Sequence, residues 1–302
     1  MKKKFPLFTI ILVFLLINFI FNFSLWKELF ENKAMIGDNI TTEYLVETSY
    51  QNLLHLKNPY TTKTVLYPYE TNFSMNDSTS AFVLPFILLR PFLNPHKSIL
   101  IITLLGFFLN NILMYLLLRK LKLNTASSFL GGLIFGFMPF LSQRIQGHYT
   151  YIPVYFFPLI FFLIFELIKN DDLRKKILLS IGLGISLAFL ILINLYYFFI
   201  ALFGILFYVS YYFFQNKELL IKIIKVNLIY FIAVFFIFLI VLAPWITQVY
   251  QFLYFDGFAK QQGFAGSQSL SADFINFFLP SEYNPIYRIF FLKIEKITPI
   301  LS

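Results

Sequence analysis

Runs of roughly 20 apolar residues recur along this chain, beginning with "FPLFTIILVFLLINFIFNF" directly behind "MKKK". No other feature constrains the fold as much. A helix rises about 1.5 Å per residue, so a run of that length matches the roughly 30 Å hydrocarbon core of a bilayer. Composition agrees. The 302 residues are 59% hydrophobic and 13% charged, against about a quarter charged in ordinary soluble domains. The sequence therefore predicts an all-α polytopic membrane protein with about seven transmembrane helices.

The expected spans are 5–23, 98–118, 126–143, 151–168, 176–193, 196–214 and 223–246. The first run is long for a signal peptide and no small-residue cleavage site follows it, so it reads as an uncleaved span. Lys2 to Lys4, Arg119, Lys120, Lys122, Lys169, Arg174 to Lys176, Lys217, Lys222 and Lys225 then fall on one side, in very short segments. That is the cytoplasmic signature, so the net charge of +9 reflects orientation rather than nucleic-acid binding. Residues 1–246 form a transmembrane domain, and 247–302 an external segment. With no Cys in the chain, disulfides, thiolate catalysis and Cys-ligated metals are excluded.

A large first external loop, 24–97, separates the first two spans. Within it Val46, Tyr50 and Leu53 fall on one helical face, which predicts a surface helix over 40–56. "AFVLPFILLRPFL" (81–93) contains Pro85 and Arg90 and is too short to span. It reads as an interfacial or re-entrant helix. No internal repeat is present.

Charged groups at a membrane boundary each need a reason. "MIGDNITTEYLVETSY" (35–50) places Gly37 and Asp38 just outside the first span. Asp38 suits a helix N-cap, and equally a base or cation ligand, with Gly37 freeing the backbone to turn. Glu43 and Glu47 lie one turn apart and read as a solvated flank. Asp77 can cap the 81–93 helix. Arg144 and His148, in "LSQRIQGHY", are four apart and can share a face, either as interfacial anchors or as an anion site. Asp256 and Asp273 are further external candidates. Asn110 and Asn111 are expected to bond neighbouring helices, Glu166 to act structurally beside Lys169, and Asn194 to serve a tight turn. "NIT" at 39–41 matches a glycosylation acceptor, but glycan there would crowd Asp38. Gly-rich phosphate loops, HExxH and Ser–His–Asp patterns are missing.

Taken in order, "GD" at 37–38, "NPYTTKTVLYPYE", "FVLPFILLRPF", "LGFFLNNILMYLLLRKLKLN", "GGLIFGFMPFLSQRIQGHYTYIPVYFFPL" and "SADFINFFLPSEYNP" resemble the multispan, C-type glycosyltransferase superfamily, which includes the protein O-mannosyltransferases. The resemblance covers most of 1–290 and is carried by order and spacing. It implies an inverting transfer of a sugar from a polyprenyl-phosphate donor to an acceptor on the outer face of the cell membrane. It further implies that Asp38 is the base or binds a divalent cation such as Mg or Mn. From position, Arg144 and His148 are expected at the donor phosphate, with Asp77 and Glu43 beside the substrate. Relatives carry more spans and a C-terminal domain, so a chain stopping at "KITPILS" reads as an N-terminal fragment. The implied partners are a lipid-linked sugar and membrane lipids. Two further classes are a lipid flippase, which would need polar residues along a midplane path, and a membrane assembly factor.

Overall fold

The computed structural model describes residues 7–31, 37–74, 80–145 and 147–254. Contacts divide the chain into two units, Met1–Gly257 and Phe258–Ser302. The second unit, with Asp273, lies outside the described residues, as does Asp256 at the end of the first.

The described residues of the first unit are mostly helical. Its elements in order are α1 (Leu7–Phe21), α2 (Phe23–Glu31), α3 (Asp38–Leu54), β1 (Thr61–Thr62), β2 (Thr71–Asn72), α4 (Ser80–Leu89), α5 (Pro95–Lys120), α6 (Thr125–Gly136), α7 (Pro139–Arg144), a 3-10 turn (Tyr149–Tyr151), α8 (Phe156–Lys169), α9 (Leu173–Ile193) and α10 (Leu195–Tyr254). Among the described residues, five stretches are long and apolar enough to cross a membrane: Pro95–Lys120, Thr125–Arg144, Tyr149–Lys169, Leu173–Ile193 and Leu195–Tyr254. A sixth is added if α1 and α2, bent by 72°, count as one broken span. Large apolar side chains point outward from the last of these, including Phe207, Phe214, Ile229 and Ile240. A water-facing surface does not tolerate an apolar area of that extent; a lipid-facing one requires it.

Short polar side chains start these helices. Asn94 accepts from the Lys97 N–H at 2.8 Å, Asn124 from the Ser127 N–H at 2.8 Å, and Asp172 from the Arg174 N–H at 2.8 Å. Each satisfies a backbone donor that the first helical turn leaves open. Asn216 does the same inside α10. It leaves helical geometry (φ −159°, ψ 84°) and accepts from the Leu219 N–H at 2.9 Å. The sixth and seventh expected spans thus meet at a capped break rather than a loop, and the helix continues past 246 to Tyr254.

Glycine sets the closest packing. A Cβ at Gly132 would lie 2.8 Å from the Asn111 carbonyl oxygen, and one at Gly136 would collide with the Asn111 side chain. A Cβ at Gly184 would meet the Val234 carbonyl oxygen at 2.8 Å. These small residues let α6 approach α5 and α9 approach α10, where lipid supplies no hydrophobic drive for helix association. Buried amides add polar links. Asn110 donates to the Ile152 carbonyl at 2.9 Å, Asn18 to the Leu104 carbonyl at 3.1 Å, and Asn111 to the Phe107 carbonyl of its own helix at 2.7 Å. Glu166 pairs with Lys120 across the ends of α5 and α8, not with Lys169 as its sequence position suggests. Asn194 caps the α9–α10 turn, accepting from the Tyr196 N–H at 2.9 Å.

The segment between α3 and α4 is more structured than its turn-rich composition indicates. The short antiparallel β1–β2 pair and its flanks are tied to the far end of α10. Asn58 donates to Gln248 Oε1 at 2.6 Å, Asn72 to the Gln248 carbonyl at 3.2 Å, and Trp245 Nε1 to the Ser74 carbonyl at 2.9 Å. As expected, α4 is too short to span; Ala81, Phe82, Val83 and Phe86 are buried.

Candidate functional site

Helix α3 begins at Gly37, whose backbone (φ 59°, ψ −146°) lies where only glycine is comfortable. The turn makes Asp38 the first helical residue. The N-cap position is held by Gly37, so the N-cap role is not the one Asp38 fills. Asp38 is 72% exposed, and its Oδ2 lies 3.4 Å from His148 Nδ1, across 110 residues of sequence.

The neighbouring residue holds that contact in place. Asn39 is fully buried, donates to the Ile145 carbonyl at 3.3 Å and accepts from the Tyr149 N–H at 2.9 Å. One amide therefore grips the loop on either side of His148. Burial also closes Asn39 to glycosylation in the folded chain.

Arg144 ends α7, and the His148 N–H donates to its carbonyl at 2.7 Å. Regular helix stops at Arg144, but this one backbone bond keeps helix-like spacing between the two residues. The guanidinium sits 4.9 Å from the Tyr151 ring centroid and 5.2 Å from that of Phe140. Tyr151 also meets His148 edge-on at 5.5 Å, and its carbonyl accepts from the Tyr197 hydroxyl at 2.7 Å. A guanidinium stacked on aromatic faces keeps its N–H fork free for an anion.

Glu43 lies apart from this group. Its Oε2 is 3.6 Å from His96 Nδ1, whose other ring nitrogen is 3.6 Å from Glu28 Oε1. Glu47 is not a solvated flank either. It takes Arg90 through two nitrogens, at 2.7 and 3.1 Å, and accepts from Gln51 at 2.7 Å. The hydrogen bond to Glu47 raises the Arg90 pKa above its ordinary value. The buried stripe of α3 runs through Asn39, Thr42, Val46, Ser49 and Tyr50, while Leu53, expected on it, is exposed. Glu43, Glu47 and His96 line a cleft of about 1230 Å³ beside α3, and Asp38, Arg144 and His148 do not border it. Asp77 lies outside the described residues.

The sequence reading passed over Asn39, Glu28 and His96. Asn39 was visible only as a sequon, although an Asn directly after a helix-starting Asp on the inner face is the available signal. His96 follows the Pro95 that opens α5, and nothing in its local pattern marks two carboxylates from other helices.

The family model described as a domain of unknown function, DUF6311, matches residues 10–296. The chain belongs to that family. No curated protein and no solved structure matches it. The DUF6311 match includes every residue of the Asp38–His148 arrangement. A divalent cation at this DUF6311 site would find two donors, Asp38 Oδ2 and His148 Nδ1. Among the described residues no third Asp, Glu, His or Cys joins them, so phosphate and water would have to complete its shell.

Proposed function

We propose that the chain is a glycosyltransferase-like integral membrane enzyme that moves a sugar from a polyprenyl-phosphate donor to an acceptor hydroxyl at the outer membrane boundary. The observation that carries this reading is the Asp38–His148 contact, held by Asn39 beside an aromatic-stacked Arg144. In the proposed topology the break at Asn216 separates two crossings, which gives seven with the bent α1–α2 pair, and the N-terminus is cytoplasmic.

In the proposed step the acceptor oxygen attacks the anomeric carbon as its proton passes to the Asp38 carboxylate. The bond from that carbon to the lipid phosphate breaks, its electron pair leaves on the phosphate oxygen, and the anomeric centre inverts. His148 sits where its imidazole can steady the carboxylate and share the proton, the logic of paired acid–base groups. Arg144 faces the phosphate as its charge grows. Exposure of Asp38 suits an acceptor arriving from water. A flippase gains less support, because Asn110 and Asn111 are fully buried, with their amides donated to carbonyls.

The test is transfer of labelled sugar from a polyprenyl-phosphate donor by the purified full chain. Asp38→Asn should lower turnover by about 10²–10⁴, the usual size of general-base catalysis, with His148→Gln intermediate. Undiminished turnover by the Asp38 variant would reject it as the base.

A further inference from the structure

None of the residues that act in the step just described lines the cleft beside α3, which lies against α3 and the segment that follows it. At about 1230 Å³ it exceeds the roughly 300–1,000 Å³ of ordinary ligand clefts. Its chemistry is selective. Of seventeen lining residues, only Ile40 and Pro95 lack a side-chain polar group. Carbon atoms make up most of the wall's area, but a lipid tail would cover the polar groups of nearly every lining residue without pairing them. Nor does such a lining suit a polyanion, since Lys57 and Lys63 stand against Glu43 and Glu70, and Glu47 is occupied by Arg90.

Nine lining residues carry a neutral hydroxyl or amide. Several are already fixed: the Tyr44 hydroxyl bonds Thr62 and Thr64, and Asn52 donates to the Asn58 and Thr61 carbonyls at 2.8 Å. Rigid side chains of this kind hold donors and acceptors at fixed spacings. The carbon atoms of the lining side chains make up most of the wall between these groups. A ligand with dense hydroxyls on a C–H framework meets both features at once.

We infer that this cleft binds a neutral saccharide chain, which enters along α3 and presents one hydroxyl toward the Asp38 end of that helix. The saccharide's identity as acceptor rests on the transfer reading; its binding in the cleft does not.

The experiment uses the full chain in detergent on an array bearing neutral, acidic and amino oligosaccharides, with peptides and polyprenyl phosphate as further arms. Saturable binding to neutral oligosaccharides is expected. Thr48→Trp, which fills the cleft from α3, should abolish it. Gln51→Ala removes one amide and should weaken it roughly 2–10-fold, the equivalent of one hydrogen bond. Thermal unfolding confirms that each variant is folded, and Gln51→Ala decides the matter should Thr48→Trp fail to fold. Asp38→Asn should leave binding intact while losing transfer. Binding confined to peptides or lipid phosphate, no binding at all, or binding indifferent to the cleft variants would overturn the inference. None of those results bears on whether Asp38 is the base.

Discussion

Replacing Asn39 with Ala is the sharpest probe of how the site is held. Tyr149 is 2% exposed, so its N–H, now paired at 2.9 Å, would be left buried without an acceptor. That penalty is about 1–3 kcal/mol, and loss of the bond to the partly accessible Ile145 carbonyl adds about 0.5–1.5 kcal/mol. A total of about 1.5–4.5 kcal/mol corresponds to an apparent melting shift of roughly 3–9 °C at about 2 °C per kcal/mol for a chain of this size. Intrinsic fluorescence during heating in detergent reads it, and Thr41→Ala, which breaks the same sequon at an exposed position, is the control with no expected shift. Asn39→Asp sharpens the test. Ionised, the new carboxylate keeps the acceptor for Tyr149 but faces the Ile145 carbonyl. Protonated, it can donate again. Burial therefore raises its folded-state pKa above the roughly 3.9 of a free Asp, so stability should recover as pH falls toward that value. A shift below about 1 °C for Asn39→Ala, or a pH-independent Asn39→Asp variant, would refute the clamp.

Two further outcomes follow from the geometry. Gly136→Ala drives a methyl into the Asn111 side chain and should cost about 1–3 kcal/mol by overpacking the α5–α6 contact, seen as a lowered unfolding midpoint; a neutral result would mean the helices slide apart freely. A double-mutant cycle of Glu47→Gln and Arg90→Gln should give a coupling of about 1 kcal/mol that shrinks with added salt, because both side chains remain partly exposed; zero coupling at low salt would leave the pair without weight in holding α3 to α4.

The helical core was legible because bilayer thickness dictates element length, so apolar runs and basic clusters locate it within a few residues. The short 81–93 helix was legible for the converse reason. What escaped were contacts set by distant pairing. "NIT" looks like a surface sequon until the 145–149 loop packs on it. Glu47 looks solvated until Arg90 arrives from the turn that ends α4. Glu166 sits three residues from Lys169 yet bonds Lys120. The 196–246 region read as two spans with a loop because Asn216 and its polar neighbours resemble a turn; one Asn acting as an internal cap leaves almost the same trace. In the candidate site, Asp38 and His148 were each nameable from position, but their contact depends on Asn39, whose role exists only in three dimensions.

The ties from Asn58, Asn72 and Ser74 to Trp245 and Gln248 span 171–190 residues. On a translating ribosome at roughly 5–20 residues per second, about 10–40 s pass before the second half of each tie exists. The 58–74 segment must wait that long, with its amides satisfied by water. Completion of this wall is therefore timed by synthesis of the distal end of α10. A chain arrested before residue 245 would hold the earlier helices and leave this wall unfinished.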